Sequence, residues 1–383
     1  MSRQSAPLRS FHIGLSWSTS GAGGSGRVLE SLSENLPREN VQVKGAVLAP
    51  ADVAAMTEGH FQLLTAPDQG LLRRFLSSRA SLRAALTPRP DLLASHFAFL
   101  TIPILDQLRR QPFVMHFHGP WAEESRVQGG SRPSVLSKRL IERSVYTRAE
   151  RIITLSSAFA EVVVKQYGVD GSRVRIIPGA VDLNQFNLPL SKAAARAEWA
   201  WPIDRPVIVS VRRLVPRMGL ENLIRAIEIV RHRVPEIQLY VAGKGPLGPK
   251  LQQLIDNLQL QNNVTLLGFV PENLLANVYQ AADLSVVPTM ALEGFGLVAV
   301  ESLAAGTPAL VTPIGGLPEV VAGLSSSLVF RSCSAADIAD GIVSALSGTV
   351  AIPSSAECRT YAEDHFSAAR MARQVADVYR EIC

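Results

Sequence analysis

The chain has 383 residues, 47% hydrophobic and 19% charged, with 27 Gly and 24 Pro scattered along it. That composition excludes a disordered, collagenous or coiled-coil chain, and the length suits two domains. The net charge of +5 is unevenly spread: residues 1–190 carry 22 Lys and Arg against 15 Asp and Glu, the remainder 16 against 18. Cys333, Cys358 and Cys383 lie too far apart in sequence for a metal or redox pair, and no Cys/His spacing suggests a metal site. The longest apolar stretch, Leu92 to Leu105, is interrupted by Ser95, His96, Thr101 and Pro103 and is too short to span a bilayer. Arg3 and Arg9 precede Phe11–Trp17, which reads as a first strand rather than a signal peptide. A soluble, cytoplasmic protein is expected.

In chain order, strands are predicted at His12–Ser16, Val41–Val47, Asp91–Ser95, Phe113–Phe117, Arg151–Leu155 and Val174–Ile177. Helical patterns fall between most of them, at Arg27–Asn35, Ala98–Arg110, Val135–Arg148 and Phe159–Gln166. After a connection around Phe186–Pro206 the alternation restarts, with strands at Val207–Val211, Gln238–Ala242, Val264–Leu267, Leu284–Val287 and Ala309–Val311. Helices are predicted between these at Leu220–Arg233, Leu247–Asn257, Asn273–Ala281 and Leu297–Ala305. Short apolar strands alternating with longer helices imply parallel sheets covered on both faces. The expected class is α/β, with two doubly wound parallel-sheet domains facing a cleft: residues 1–190, and residues 207–365. In such sheets ligands bind beyond the carboxyl ends of the strands.

The basic excess concentrates at Arg73, Arg74, Arg79, Arg83 and Arg89, and at Lys138, Arg139, Arg143, Arg148 and Arg151. Beside the first group, Leu71, Leu72, Phe75, Leu76, Leu82 and Leu86 recur at helical spacing. A basic amphipathic helix suits an anionic membrane surface; the alternative is a solvated helix with its apolar face in the core. No aromatic-rich basic patch accompanies the charge, so nucleic acid is not an expected partner.

Four loops carry chemistry. Gly21-Ala22-Gly23-Gly24-Ser25-Gly26 follows the first strand and matches G-x-G-x-x-G, where backbone can approach a phosphate at a helix start. The acidic residue a nicotinamide site needs is missing, because Asp52 lies beyond Pro50 and past the second strand. His116-Phe117-His118-Gly119-Pro120-Trp121 places His118 at a strand end, suited to hydrogen bonding or proton transfer, while His116 alternates to the other face as a core residue. His96, also at a strand end, fits either role. Arg212, Arg213 and Arg217 crowd a strand-to-helix turn and offer donors to phosphate oxygens, or form a solvated basic turn. In the fourth loop, Glu293 and Glu301 bracket Gly294, Phe295, Gly296 and Leu297, whose N–H groups open a helix and can hold a diphosphate. A glutamate inside the apolar run Leu297–Ala305 is costly without partners, which argues against a purely structural Glu301.

The segment from Glu293 to Glu301 resembles the E-x7-E motif of retaining glycosyltransferases of family 4, which have the GT-B fold of two Rossmann-like domains. The loops at Gly21–Gly26 and His118–Trp121, Ile177–Asp182, Gly243–Pro246, Leu267–Val270 and Gly315–Glu319 are similar to that family's pattern, in the same order. The closing segment, residues 366–383, resembles the helix that crosses back to the first domain in that family.

The resemblance implies a nucleotide-diphosphate sugar as co-substrate, held mostly by the second domain, with the acceptor against the first. Arg213 would contact the diphosphate, Glu301 the ribose, Glu293 with Gly294–Leu297 the donor sugar and phosphates, and main chain at Phe269–Val270 the base. Gly23 and Gly24 would close over the diphosphate, and His118 would lie beside the sugar. The family's lysine is replaced by Met218, with Arg217 and Arg212 as the expected substitutes. No D-x-D-like signature stands out, so transfer without a metal or other cofactor is expected. The basic first domain suggests a lipid-linked or membrane-proximal acceptor, as in polysaccharide or glycolipid assembly, with the protein peripheral on the inner membrane face. A nucleotide-sugar epimerase, a sugar phosphorylase or a non-catalytic nucleotide-sugar-binding protein can share the architecture.

Overall fold

Parallel strands can be joined only by crossovers long enough to return along the sheet, and helices supply them here. The fold is described from a computed structural model covering residues 6–17, 24–65 and 71–383. The chain divides into two compact units, one comprising residues up to Ala180 together with Ala368–Cys383, the other Val181–Ser367.

The first unit holds seven parallel strands: β1 (Leu8–Gly14), β2 (Val41–Val47), β3 (Phe61–Leu63), β4 (Leu92–Ser95), β5 (Phe113–Phe117), β6 (Arg151–Thr154) and β7 (Val174–Ile176). Their order, β3-β2-β1-β4-β5-β6-β7, reverses between β1 and β4, which creates a switch point there. The first strand begins four residues earlier than expected, because β1 pairs with all of β2, from Leu8 opposite Val41 to Gly14 opposite Val47. The expected helix Ala98–Arg110 is broken: an α-turn at Ala98–Thr101 passes into a 3₁₀ turn at Ile102–Ile104, since Pro103 lacks the N–H a continuing helix needs. Phe11, Ile13, Leu93, Phe113, Met115 and Phe117 form the centre of this unit's core.

The second unit holds β8 (Val207–Val211), β9 (Gln238–Ala242), β10 (Val264–Gly268), β11 (Leu284–Val287) and β12 (Ala309–Val311), all parallel, in the order β10-β9-β8-β11-β12. Its switch point lies between β8 and β11. The helix Leu220–Val230 buries Leu220, Leu223, Ile224, Ala226, Ile227 and Val230 on one face, the i, i+3, i+4, i+7 spacing of an amphipathic helix.

The boundary between units falls at Ala180, ahead of the expected residue 190, because Leu183–Phe186 forms a short helix, capped by Asp182, whose Phe186 packs on Tyr279. The closing segment is also split. Phe366 ends the helix Ser355–Phe366, started by a Ser354/Glu357 capping box, and packs edge-on against Phe295 of the second unit. The helix Ala368–Ile382 joins the first unit: Glu381 bonds Arg151 of β6 and Arg175 of β7, and Arg380 reaches the Glu39 carbonyl.

Candidate active site

The loops after β8 and β11 leave neighbouring strands at the switch point of the second sheet, and contacts between their backbones lock them together. Gly219 has φ +72, and a Cβ there would sit 1.8 Å from the Pro288 carbonyl oxygen, so only glycine permits this approach. Met290 N–H donates to the Arg217 carbonyl at 2.8 Å. The loop after β12 closes from the other side: Gly316 N–H donates to the Glu293 carbonyl at 3.1 Å, and a Cβ on Gly315 would lie 1.9 Å from that oxygen.

Within this frame the side chains are paired. The Arg212 guanidinium, buried, donates to Thr289 Oγ1 and Glu293 Oε2, and Thr289 Oγ1 also donates to that carboxylate oxygen at 3.1 Å. Arg217, also buried, donates to the Leu292 carbonyl at 2.9 Å. Burial alone would push the Glu293 carboxyl up, but the charge and hydrogen bond of Arg212, then Arg217 and Thr289, outweigh it and hold it below the usual carboxylate range. Glu293 is therefore an ionised, oriented anion whose bonds from Arg212 and Thr289 both fall on Oε2.

The helix Leu297–Ala304 begins at Gly296, φ +98, with no side-chain cap on its first N–H groups. Such a start presents donors and the positive end of the helix dipole to an anion. Gly294 lies in the loop before it, and Phe295 is buried. Glu301, one turn in, is 1% exposed and accepts from Tyr279 Oη at 3.1 Å. Arg213 is exposed at the adjacent turn and forms no ion pair among the described residues. On the far side, Phe269 is 48% exposed with Lys244 Nζ 5.3 Å from its ring centre, and Val270 is buried. Met218 is buried too.

In the first unit, His118 follows β5 beside the switch point. Its loop is pinned by Glu142, whose carboxylate accepts from the N–H groups of Trp121 and Ala122 at 2.7 and 3.1 Å and from the hydroxyls of Tyr167 and Tyr146 at 2.8 and 3.2 Å. This buried glutamate caps the helix Trp121–Val127 from another helix, Arg132–Tyr146, and its isolated position gave no sign of the role. His118 Nε2 lies 2.9 Å from His96 Nδ1, and burial lowers its pKa to about 4. His116 faces the core, as its alternation implied, and meets Tyr379 Oη at 2.8 Å. Gly24 opens the helix Gly24–Asn35, whereas Gly23 lies outside the described residues. Among the described residues no group of three or more His, Cys, Asp or Glu is arranged to hold a metal ion.

A family model described as "Glycosyltransferase Family 4" matches residues 22–185, and one described as "Glycosyl transferases group 1" matches residues 191–365. The chain belongs to glycosyltransferase family 4. D-inositol 3-phosphate glycosyltransferase of Nocardia farcinica is 34% identical over 221 residues, 56% of this chain and 48% of that protein. The Mycolicibacterium smegmatis protein of the same name is 36% identical over 214 residues, 54% of this chain and 48% of its own length. This family 4 chain thus spans about half the length of the curated relatives it matches. Among solved structures, sucrose-phosphate synthase from Thermosynechococcus elongatus superposes with a TM-score of 0.80 at 22% identity, covering 98% of both chains. Anabaena HepE in complex with UDP-glucose gives 0.79 at 20%, covering 97% of this chain and 99% of that one. These likenesses show the GT-B fold.

Proposed function

We propose that this family 4 chain transfers a sugar from a nucleotide-diphosphate sugar to an acceptor hydroxyl, with the anomeric configuration retained. The observation that carries the reading is the locked loop pair at the second unit's switch point. It sets an uncapped helix start, an exposed Arg213 and an oriented Glu293 around one edge of the sheet. The helix N–H groups and Arg213 would stabilise the departing diphosphate. Glu293, held through Oε2, would accept a donor-sugar hydroxyl, and Glu301 would take the ribose. Phe269 and Val270 would hold the base, Gly23 and Gly24 would approach the diphosphate, and His118 would bind the sugar. Arg217 acts one step back, holding the Leu292–Glu293 backbone where these groups need it. The acceptor hydroxyl attacks on the face the diphosphate leaves, a departing phosphate oxygen takes its proton, and neither metal nor cofactor is required. The UDP-glucose complex of HepE makes UDP-sugars the first donors to try.

The test is thermal unfolding with UDP-, GDP- and ADP-sugars and with NAD, with and without EDTA, followed by release of nucleoside diphosphate and the product's anomeric NMR signal. A ligand at a hundred times its Kd stabilises by about 2.7 kcal/mol. One nucleotide-sugar series should shift the transition, transfer should persist in EDTA, and product should require an acceptor. Turnover without an acceptor would indicate an epimerase, a need for free phosphate a phosphorylase, and binding without turnover a non-catalytic protein. A shift with NAD alone would refute the reading.

The acceptor we propose is membrane-proximal, in polysaccharide or glycolipid assembly. The helix Arg132–Tyr146 leaves Leu136 and Leu140 each 60% exposed, with Arg132 and Arg143 on the same face. The helix Leu71–Ala85 exposes Phe75 and Leu76 beside Arg73 and Arg74, while Arg79 and Arg83 are occupied by Asp106. No helix among the described residues is long and apolar enough to cross a membrane. Binding to anionic vesicles, lost when Leu136 and Leu140 become Ser, is the expected result; undiminished binding would refute this surface.

A further inference from the structure

Four histidines from three segments of the first unit, His12 of β1, His96 after β4, and His116 and His118 at the end of β5, converge on one another, and the proposed chemistry uses only His118. Three of them form a continuous line. Ser10 Oγ lies 3.2 Å from His12 Nε2, His12 Nδ1 lies 3.1 Å from His96 Nε2, and His96 Nδ1 lies 2.9 Å from His118 Nε2. At its buried end Ser10 Oγ donates to the Gln42 carbonyl at 3.1 Å.

The direction of every bond follows from that end. A carbonyl only accepts, so the single serine proton goes to Gln42, and Ser10 Oγ must accept from His12 Nε2–H. In a neutral imidazole the other nitrogen is then an acceptor, so His12 Nδ1 takes a proton from His96 Nε2–H. His96 Nδ1 in turn takes one from His118 Nε2–H. A proton added at His12 or His96 would reverse the bonds beyond it and leave His118 protonated at Nδ1 instead. Burial lowers the pKa of His12 to about 3 and holds that of His96 far below its usual value, which keeps both rings neutral. His116 stacks on His96 with centroids 4.4 Å apart and planes at 9°, and is itself held by Tyr379, so the middle ring is clamped.

We propose that Ser10, His12 and His96 form a relay that holds His118 in its neutral Nε2–H tautomer, so that Nδ1 carries a lone pair and serves as a hydrogen-bond acceptor for a ligand hydroxyl. His118 Nδ1 is buried and has no hydrogen-bond partner among the described residues, as a waiting acceptor would be. Ser10, His12 and His96 are positioning residues. The assignment of a sugar hydroxyl as the ligand rests on the transferase reading, but the tautomer does not.

The test is nitrogen-15 NMR of the full chain labelled at histidine, whose long-range nitrogen–proton correlations distinguish the two tautomers. His12, His96 and His118 should each show an unprotonated Nδ1 and a protonated Nε2 at neutral pH. A His118 ring protonated at Nδ1 would overturn the relay, with or without enzymatic activity. Substitution gives a second readout. In His12→Asn the carboxamide oxygen can stand where Nδ1 stood and accept from His96, whereas His12→Leu cannot. The relay requires the Asn variant to keep the His118 tautomer and the Leu variant to lose it; a packing role alone predicts that buried Leu is the better tolerated. Where transfer is measured, His12→Leu should lower kcat about fivefold, roughly one neutral hydrogen bond, and His12→Asn should not. An intact His118 tautomer without transfer would refute the transferase reading and leave the relay standing.

Discussion

Replacing Arg212 with Met would leave the Glu293 carboxylate buried without its main partner. Arg212 is 6% and Glu293 14% exposed at the side chain, so little water is at hand to take the pair's place. Breaking a buried pair from one side costs about 3–5 kcal/mol. Thr289 and Arg217 still face the carboxylate, which places Arg212→Met near the lower figure. At about 2–4 °C per kcal/mol for a unit of this size, the melting temperature of the second unit should fall by roughly 6–12 °C. The pH dependence identifies the cause. In the native protein Glu293 is held below the usual carboxylate range, so its stabilisation is present above its unfolded pKa and is lost as pH falls through the folded one. Without Arg212, burial dominates and raises the carboxyl, so the folded variant takes up a proton on acidification and its deficit narrows. Scanning calorimetry at pH 8 and pH 5 should show the larger deficit at pH 8, by about 1 kcal/mol or more. Arg212→Met combined with Glu293→Gln should recover at least half of the loss. Equal deficits at the two pH values, or a double variant no better than the single, would refute the account.

The histidine cluster should make the first unit acid-labile. All four rings have folded pKa values lowered by burial, so below the ordinary value of 6.5 the unfolded chain binds protons that the folded one does not. Stability should be level above that pH and fall toward pH 4, with a limiting slope on the order of 5 kcal/mol per pH unit for four protons; denaturant titrations giving fewer than two protons would contradict this. Gly219→Ala should force the loops after β8 and β11 apart and abolish the nucleotide-induced thermal shift while both sheets persist by circular dichroism; unchanged nucleotide binding would count against the locked frame. Glu142→Leu should strand two N–H groups and two hydroxyls and cost about 3 kcal/mol, measured by chemical denaturation, and a loss below 1 kcal/mol would show that the cap matters little.

Most strands were legible because a parallel strand buried on both faces reads as a short apolar run, as at Val207–Val211 and Leu284–Val287. β3 went unseen: three residues, one of them the exposed Gln62, give no pattern, and only pairing with Gly45–Val47 makes a strand of them. Pro103 was visible, yet the apolar spacing around it suggested one helix where steric conflict leaves a turn and a 3₁₀ segment. In the candidate site, Glu293, Glu301 and the arginines stood out as charges beside glycines at strand ends.

What the sequence by itself determined was the alternation of elements, the two-domain organisation and the loops that carry charge, because periodicity and glycine placement act over a few residues. The tertiary structure alone decided which charges face each other. Arg212 and Glu293 are 81 positions apart, and they meet because β8 and β11 are neighbours in the sheet. His12 and His96, 84 positions apart, meet because β1 and β4 pair at the switch point of theirs. Strand order sets such encounters, and it follows from how helices cover the two faces of a sheet, a property of the whole packed unit rather than of any segment.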